Sequence, residues 1–510
     1  MHAPMSGSPA AQLQPPVGGT PGVSRLAWWW STDRRMFAGV LGLALLLRLL
    51  AMVPSNYHHP DEIWQYLEPA HRLVFGHWVV AWEYRDGIRT WLIPALVAMP
   101  MRLGAWLAPD GGLTLALPRL MLVLLSLSTV ACATGMGMRL SRLHGAMAGV
   151  VAAIWAELVY FGPRAMSEPV AMALFFPAAL LLTRPLAQRT RATYAGAGLL
   201  LGLCFSARFQ LAPALFVLAA WACGLRWRAW LWLAAGGLLG LGVDAAVDML
   251  VAGQPPLRWI YANFHINLVE QKSASFGTKP AYWYLTRICN QWRLAALGIV
   301  PLAILGARRY PVLLAVALVN LLVHSLIPHK EYRFVLLSTT LLVVLAAFGT
   351  VDALQRRAAG DDLRLQRLCG QALLLWLLAS LLVATTGPVK RYWKSGRPLI
   401  AAMQLAGADP DTCGMALYRP PNPLSAAYAL YGRQTPIYLF DTRDDHAAAL
   451  RYRSAYDTVL SVAQAPPLAP EYALLGCSSK AYCVYRRAGG CTGDVPREYE
   501  VNAVLTRLGK

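Results

Sequence analysis

Four short stretches of the chain combine carboxylates, cations and histidines at spacings that suit chemistry. The first, HHPDEIWQYLEPAH, covers residues 58–71. Pro60 suits the first turn of a helix, and Asp61 and Glu62 then lie at the positive end of that helix. A carboxylate held there can act as a general base, with His59 nearby for a phosphate or hydroxyl group. The alternative interpretation is an ordinary helix start at a membrane surface.

The second and third stretches add arginines, aromatic rings and a carboxylate pair. In WEYRDGIRTW, Arg85 and Arg89 alternate with aromatic residues. This pattern indicates either an interfacial aromatic belt or sugar stacking beside an anion-binding arginine. Further on, Asp244 and Asp248 are four residues apart and share one helix face. A polar helix end or a metal pair would both give this spacing, but no DxD or histidine–carboxylate ligand pattern accompanies it.

The fourth stretch, PHKEYRF, is a short segment between two apolar runs and contains His329, Lys330, Glu331 and Arg333. These side chains either extend to the membrane interface or perform chemistry. In the second case Lys330 and Arg333 would neutralise a phosphate whose charge grows as a bond to it breaks. Single ionisable residues at other predicted helix ends are Arg164, Glu168 and Arg208.

The elements that must position these residues are transmembrane helices. Hydrophobic residues make up 57% of the 510 residues and charged residues 14%, whereas a soluble domain has about 25% charged residues. This composition excludes disordered, collagen-like and disulfide-scaffold proteins. The net charge of +20, from 46 Lys+Arg and 26 Asp+Glu, does not indicate a nucleic-acid partner, because most arginines flank apolar runs. It predicts a multi-pass protein among membrane lipids, with its basic loops in the cytoplasm.

The basic clusters predict eleven crossings and an extracytoplasmic C-terminus. Residues 1–30 are predicted to be a disordered cytoplasmic N-terminus, followed by a transmembrane catalytic domain over 31–386. The predicted spans are 36–54, 118–138, 145–162, 167–183, 193–207, 209–224, 229–250, 291–307, 311–327, 334–352 and 370–386. The register requires that 91–108, with two prolines and an arginine, does not cross fully. The outer loops are then 55–117, 251–290 and 328–333, so the chemistry-bearing stretches share the outer side.

Residues 387–510 have a different composition and predict a small extracytoplasmic α/β domain. TPIYLF, YDTVLSV and AYCVYRR resemble strands, while SAAYALYG and HAAALRYR resemble helices. This domain contains Cys413, Cys477, Cys483 and Cys491. In an oxidising compartment they allow disulfides with three possible connectivities; four reduced thiols are the alternative.

Together the motifs resemble glycosyltransferase family 22, the multi-pass mannosyltransferases of GPI-anchor and asparagine-linked glycan assembly with the GT-C fold. HPDE with WQYLEPAH resembles the family's signature in its first outer loop, and WEYRDGIRTWLIP its next segment. Asp248 with GQPPLRWIYANFHIN, FGTKPAYWYL and HKEYRF are similar to three later motifs. The resemblance spans roughly residues 36–350, is weaker in the C-terminal domain, and keeps the motifs in family order.

The resemblance implies inverting transfer of a hexose, typically mannose, from a polyprenyl-phosphate sugar donor to a glycan or glycolipid acceptor, without a metal or other cofactor. Asp61 becomes the expected general base, and Glu62 supports it or binds acceptor. The expected substrate-binding residues are His59, Arg85, Arg89, Arg208, Asp248, Asn263, His329, Lys330, Glu331 and Arg333. Because a lipid phosphate is a good leaving group, this chemistry needs a base and cations but no strong acid.

Other interpretations remain open. A polyprenyl-linked-sugar flippase or transporter would also be a multi-pass protein, although no internal repeat is visible and the ionisable clusters lie at outer helix ends. A membrane scaffold acting through its C-terminal domain would not explain the buried charges. The Ala/Leu/Arg/Trp-rich composition predicts a bacterial inner membrane, and the endoplasmic reticulum if the source is eukaryotic.

Overall fold

The computed structural model describes residues 25–509 except 54, 109–110, 271, 421–424, 443, 464, 480 and 494. The predicted disordered N-terminus lies outside the described residues as far as residue 24, and the first helix begins at Arg25.

The chain is mostly helical as far as residue 406. Its α-helices in this part are α1 (Arg25–Met52), α2 (Glu68–Phe75), α3 (Trp82–Arg85), α4 (Leu92–Leu107), α5 (Ala116–Met138), α6 (Arg142–Ile154), α7 (Ala156–Phe161), α8 (Ser167–Leu182), α9 (Arg191–Ala207), α10 (Ala212–Cys223), α11 (Trp227–Ala246), α12 (Arg258–Phe264), α13 (Trp283–Trp292), α14 (Ala295–Ala307), α15 (Pro311–Leu326), α16 (Leu336–Ala358), α17 (Asp362–Thr385), α18 (Gly387–Tyr392) and α19 (Arg397–Ala406). π-Helical segments cover Glu62–Leu67, Val247–Val251 and His265–Val269, and longer 3₁₀ segments cover Lys272–Phe276 and Tyr332–Val335.

Five described helical segments are long and apolar enough to cross a membrane. They are Asp33–Met52, Ala116–Met138, Trp227–Val251, Tyr332–Ala358 and Asp362–Thr385. A sixth is possible if α13 and α14, which meet at 112°, form one broken span. Five further apolar helices, α4 among them, have 10–17 residues, and a straight crossing needs about 20. The protein is therefore an integral membrane protein, and the count of eleven crossings stays a prediction.

Polar side chains close the helix ends. Ser141 accepts a hydrogen bond from the amide of His144 at the start of α6 (3.2 Å), and Asp361 accepts one from Arg364 at the start of α17 (3.0 Å). At the break between α6 and α7, the buried guanidinium of Arg48 donates to the carbonyls of Ala152 (3.3 Å) and Ala153 (3.2 Å). The arginine that interrupts the first apolar run thus supplies donors to a buried helix end, which lacks partners of its own.

The α16 segment is the centre of the helical bundle. Within its apolar window 89% of the residues are buried, against 22% for α1, α11 and α17. The 3₁₀ segment that leads into it, Tyr332–Val335, contains Arg333 and is also largely buried.

Residues 415–507 add a five-stranded mixed sheet. Its elements are β1 (Met415–Tyr418), α20 (Tyr428–Tyr431), β2 (Ile437–Phe440), α21 (His446–Arg451), β3 (Thr458–Val462), β4 (Ala473–Ser478), β5 (Tyr482–Arg486) and α22 (Val501–Arg507). The strand order is β2-β1-β3-β5-β4, with β2, β1 and β3 parallel and the other pairs antiparallel. Disulfides join Cys413 to Cys491 and Cys477 to Cys483.

One face of this sheet domain packs on the segment that follows α1. Ile63, Trp64 and Val79 share an apolar cluster with residues of α19, α20 and the sheet. The Trp64 indole donates to the carbonyl of Ala426 (2.8 Å), and the Glu68 carboxylate accepts from the amide of Ala429 (2.7 Å). The sheet domain thus holds the helix that begins beside Asp61.

Candidate active site

The first motif forms a tight helix start directly after α1. The Glu62 amide donates to the His59 carbonyl (3.0 Å), and the π-helical segment Glu62–Leu67 follows. The Glu62 carboxylate accepts hydrogen bonds from the amides of His58 (2.8 Å) and Ala165 (3.4 Å). These contacts orient the turn so that the neighbouring Asp61 carboxylate faces the PHKEYRF segment. In this structure Glu62 therefore orients the turn that carries Asp61, and its catalytic role stays a prediction.

Asp61 and Arg333, which are 272 residues apart, form an ion pair. Arg333 Nη2 lies 2.5 Å from Asp61 Oδ2, and His59 Nδ1 lies 3.1 Å from Asp61 Oδ1. Arg333 Nε also donates to Glu331 Oε2 (2.7 Å). The Arg333 side chain is buried, with 3% of its surface exposed. Two of the four motifs therefore meet at one carboxylate–guanidinium contact.

Glu168 extends this network to Arg208. Its Oε1 atom lies 2.9 Å from Arg208 Nη1 and 3.5 Å from Arg333 Nη1. Ser167 also accepts a hydrogen bond from Arg208 (3.1 Å). We call His59, Asp61, Glu168, Arg208, Glu331 and Arg333 the charge cluster. It contains three carboxylates and two guanidinium groups, and its members come from four separate parts of the chain.

The charge cluster keeps the carboxylates of Asp61 and Glu331 ionised. Burial alone would raise the pKa of Asp61, but the Arg333 guanidinium and His59 outweigh it and hold the pKa well below its usual value. Burial opposes the same effect at Glu331, where Arg333 and His329 also lower the pKa. Burial would lower the pKa of His59, yet Asp61 raises it overall. In the resting state Asp61 is therefore a charged but weak base.

Lys330 and His329 are oriented differently from what the motif predicts. The Lys330 ammonium donates to the carbonyls of Lys279 (3.0 Å) and Ile327. His329 Nε2 lies 3.1 Å from Glu331 Oε1, and a hydrogen bond to Glu331 raises its pKa. Lys330 thus ties two loops together, and Arg333 is the cation of this motif that reaches Asp61.

Two arginines line a small polar chamber beside the charge cluster. Its walls include Tyr66, Tyr84, Arg89, Arg208, Trp259 and Asn263. Among the described residues, no acceptor lies within hydrogen-bonding distance of the buried Nε atoms of Arg89 and Arg208. The chamber has a volume of about 20 Å³, which suits one water molecule rather than a sugar. Aromatic walls with unsatisfied guanidinium donors suit an anionic, hydroxylated ligand once a wall has moved.

The remaining predicted residues organise the edges of this chamber. Asp248 accepts from the amides of Trp91 (3.1 Å) and Leu257 (3.2 Å), and Asn263 donates to the carbonyl of Ile88 (3.0 Å). Arg85 lies further out and donates to Thr506 of α22 (2.9 Å). The structure thus brings Asn263 to the chamber wall, whereas Asp248 anchors loops and Arg85 reaches the sheet domain.

Two carboxylates near the site were missed in the sequence. Glu83 accepts from the Gln65 amide (2.7 Å), and burial raises its pKa despite nearby Arg89. Glu157 accepts hydrogen bonds from the indoles of Trp155 (3.0 Å) and Trp292 (3.1 Å) and from the Tyr332 hydroxyl. Glu157 therefore fixes the residue next to Arg333. In the sequence, Glu157 could have been found as an acidic residue inside the predicted span 145–162.

One trio in the charge cluster has the ligand atoms for a metal. Atoms of His59, Asp61 and Glu331 all lie within 4.8 Å of one another. Both carboxylates already pair with Arg333, so a divalent cation would have to compete with a buried guanidinium. The three residues supply enough ligand atoms for a metal ion, but the pairing of both carboxylates with Arg333 favours the arginine over a cation.

The fold is that of the GT-C membrane glycosyltransferases. The structure resembles the crystal structure of ArnT from Cupriavidus metallidurans in the apo state, with a TM-score of 0.59 over 92% of this chain and 100% of that one, at 13% sequence identity. The same protein bound to undecaprenyl phosphate gives a TM-score of 0.58 at 12% identity over the same shares.

The chain belongs to the Alg9-like mannosyltransferase family, whose model matches residues 40–403. It is 29% identical over 383 residues to GPI mannosyltransferase 3 of Drosophila melanogaster, covering 68% of this chain and 62% of that protein. It is 27% identical over 337 residues to mannosyltransferase APTG1 of Arabidopsis thaliana, covering 60% and 56%. The chain thus matches about three fifths of the length of these relatives. The family identified from the motifs is confirmed.

Proposed function

We propose that this protein is a membrane mannosyltransferase that moves a hexose, mannose, from a polyprenyl-phosphate sugar to a hydroxyl of a glycan or glycolipid acceptor. The family and its named mannosyltransferases support the sugar. The similarly folded ArnT, seen with undecaprenyl phosphate, supports a polyprenyl-linked donor. In this proposal the chain crosses the membrane eleven times, and the charge cluster and sheet domain face the extracytoplasmic side.

The contact between Asp61 and Arg333 carries the proposal. It joins the carboxylate of HPDE to the guanidinium of HKEYRF at 2.5 Å. Transfer from a lipid phosphate requires a base on the acceptor and a cation beside the departing phosphate. A transporter would have no need for a base and a cation in direct contact.

The reaction exchanges one bond at C1 of the sugar for another and moves one proton. The acceptor oxygen attacks C1 of the mannosyl group while its proton passes to the Asp61 carboxylate. The bond between C1 and the phosphate oxygen breaks, and the electron pair leaves with the polyprenyl phosphate. Attack opposite the leaving group inverts the configuration at C1, and the transition state has oxocarbenium character.

Binding of the donor strengthens the base in this mechanism. Arg333 holds the pKa of Asp61 low in the resting state. A phosphate that binds Arg208 displaces Glu168, which then pairs more closely with Arg333 and weakens the pairing of Arg333 with Asp61, so the Asp61 carboxylate becomes more basic. The chamber must also widen from about 20 Å³, and α12, which contributes Trp259 and Asn263, is the wall we expect to move.

The decisive experiment offers the purified full-length protein in nanodiscs a panel of polyprenyl-phosphate sugars with radiolabelled mannose, glucose or galactose. We expect the mannosyl donor alone to lose its label to a hydroxyl acceptor. Movement of intact lipid between leaflets without sugar transfer would contradict the proposal and favour a flippase. Transfer of another hexose would keep the reaction and replace the sugar.

A further inference from the structure

A group of exposed cations follows the last of the candidate spans. That span, α17, ends at Thr385, and α18 begins at Gly387. The next stretch of chain contains four exposed cations, which are Lys390, Arg391, Lys394 and Arg397. Because they follow the end of the span so closely, these side chains lie at the depth of the lipid headgroups.

A fifth exposed cation reaches the same place from the broken span. Arg293 lies at the 112° bend between α13 and α14 and is exposed. A Cβ atom on Gly387 would lie 3.3 Å from the Nε and Nη2 atoms of Arg293, so this guanidinium packs against the first residue of α18. We call Arg293, Lys390, Arg391, Lys394 and Arg397 the basic patch.

The chain supplies no counter-charge to the basic patch. The sequence has no Asp or Glu in residues 363–408, and the part of the chain that the structure describes shows no ion pair to any of the five cations. Four like charges close together in the sequence repel one another, and Arg397 opens α19, where the helix dipole disfavours a cation. The basic patch therefore opposes folding unless an anion from outside the chain binds to it.

Exposed apolar side chains border the basic patch. On α13 and at its bend, Tyr282, Leu285 and Leu294 are exposed, and Trp393 is partly exposed between the cations. Apolar and aromatic side chains beside exposed Lys and Arg are typical of a surface that lies in the membrane interface. A soluble acidic partner would leave these apolar groups in water, so a lipid fits the surface better.

α18 is fixed to the turn that precedes Asp61. The carbonyl of Tyr392 accepts hydrogen bonds from the Asn56 amide (2.9 Å) and the Tyr160 hydroxyl (3.2 Å). The basic patch thus lies at the same end of the helical bundle as the charge cluster. In the topology of the proposed function this is the outer side, where the cytoplasmic bias of Lys and Arg does not account for the cations.

We propose that the basic patch binds the headgroups of anionic phospholipids in the leaflet beside the active site. The cations pair with the headgroup phosphate, while the exposed side chains of α13 contact the acyl chains. Bound lipid then holds α18 and, through Tyr392, the turn before Asp61 at a fixed depth. This inference goes beyond the proposed function and does not depend on the sugar that is transferred.

Photolabelling tests the site independently of sugar transfer. The probe is phosphatidylglycerol with a diazirine near the start of one acyl chain, added to the full-length protein in phosphatidylcholine nanodiscs. We expect mass spectrometry to find the label on peptides from α13 and α18. Unlabelled phosphatidylglycerol should compete, whereas phosphatidylcholine should not. Raising the salt from about 0.1 M to about 1 M shortens the Debye length from about 10 Å to about 3 Å and should weaken the labelling.

Two charge-matched double variants test where the lipid binds. Lys390→Gln with Arg391→Gln removes two charges from the basic patch, and Arg451→Gln with Arg497→Gln removes two exposed charges from the sheet domain. The first should weaken competition by phosphatidylglycerol about 25-fold, since each Lys or Arg near an anionic surface strengthens binding about fivefold. The second should change it less than about twofold. Because all four side chains are exposed, both variants should unfold at the wild-type temperature in phosphatidylcholine nanodiscs.

The outcomes separate this inference from the proposed function. Equal losses in the two double variants would show a general effect of net charge and overturn the inference. Label spread evenly over lipid-facing helices would also overturn it, and so would equal competition by soluble glycerol 1-phosphate. Labelling of the basic patch in a protein that transfers no sugar would support the inference and refute only the transferase.

Discussion

Replacing Asp61 by Asn tests both the proposed base and the charge balance around it. In the wild-type charge cluster, Asp61, Glu168 and Glu331 face Arg208 and Arg333. In the variant, two carboxylates still balance two guanidinium groups, so no buried charge loses its last partner. We therefore expect a stability loss of about 2 kcal/mol, typical of one charge-assisted hydrogen bond. Leaving a buried charge unpaired would cost about 3–5 kcal/mol.

The effect on the reaction should be much larger. A general base contributes about 10²–10⁴-fold, so kcat should fall by that factor, equivalent to about 3–5 kcal/mol. The assay is single-turnover transfer from polyprenyl-phosphate mannose in nanodiscs, with thermal unfolding measured on the same preparation.

Glu331→Gln is the matched control. It also removes one charge from the surroundings of Arg333, but it leaves the proposed base in place. We expect kcat of this variant to stay within about tenfold of the wild type. A D61N enzyme with near-normal kcat would refute the base. Equal losses in both variants would show that the cluster needs its charges rather than a proton acceptor at residue 61, and unfolding of D61N would refute the charge balance.

Three further perturbations follow from single contacts. Asp61 raises the pKa of His59 above 6.5 in the folded protein. The free energy of unfolding that this pair contributes should therefore be complete below about pH 6.5 and decline as the pH rises through the pKa of His59 in the folded state. His59→Gln should abolish that alkaline decline in thermal melts. Serine in place of Cys413 and Cys491, which close a loop of 78 residues, should destabilise the sheet domain by about 4 kcal/mol in chemical unfolding, against about 2 kcal/mol for the disulfide that closes six. Equal costs would contradict the loop-entropy reasoning. Arg48→Met should lower the unfolding free energy by about 2 kcal/mol, since it orphans the last carbonyls of α6, whereas Leu46→Met on the exposed face of α1 should not.

Motif order predicted two of the segments that the structure brings together. The resemblance grouped HPDE with HKEYRF, and the structure brings Asp61 within 2.5 Å of Arg333. Side-chain direction was beyond the motifs: Lys330 turns to two backbone carbonyls and Glu62 to two backbone amides. These orientations depend on loops from distant parts of the chain, which a local pattern does not contain.

The helices were predicted better than their breaks. The run 291–307 suggested one span, yet α13 and α14 meet at 112° around Arg293. Arg293 has a positive φ of 54°, and such a turn has no residue signature at an arginine. In the sheet domain, β1 and β4 were not predicted. Strand β1, which lies between β2 and β3, is buried along its whole length, so it lacks the alternation that marks a half-buried strand. Its parallel partners come from residues 437–440 and 458–462.

The resemblance implies that HKEYRF holds the donor phosphate, whereas the charge distribution favours Arg208 for that task. Arg333 already contacts three carboxylates, so a phosphate gains little from it unless one of them is released. Arg208 shares the Glu168 oxygen with Arg333, but its Nε is unsatisfied among the described residues. A phosphate that enters the polar chamber would therefore meet Arg208 first and draw on Arg333 through Glu168. In the proposed function, anchoring of the phosphate would then belong to the SARFQ turn and activation of the base to HKEYRF. This separation would keep Asp61 paired with Arg333 until a donor lipid is in place.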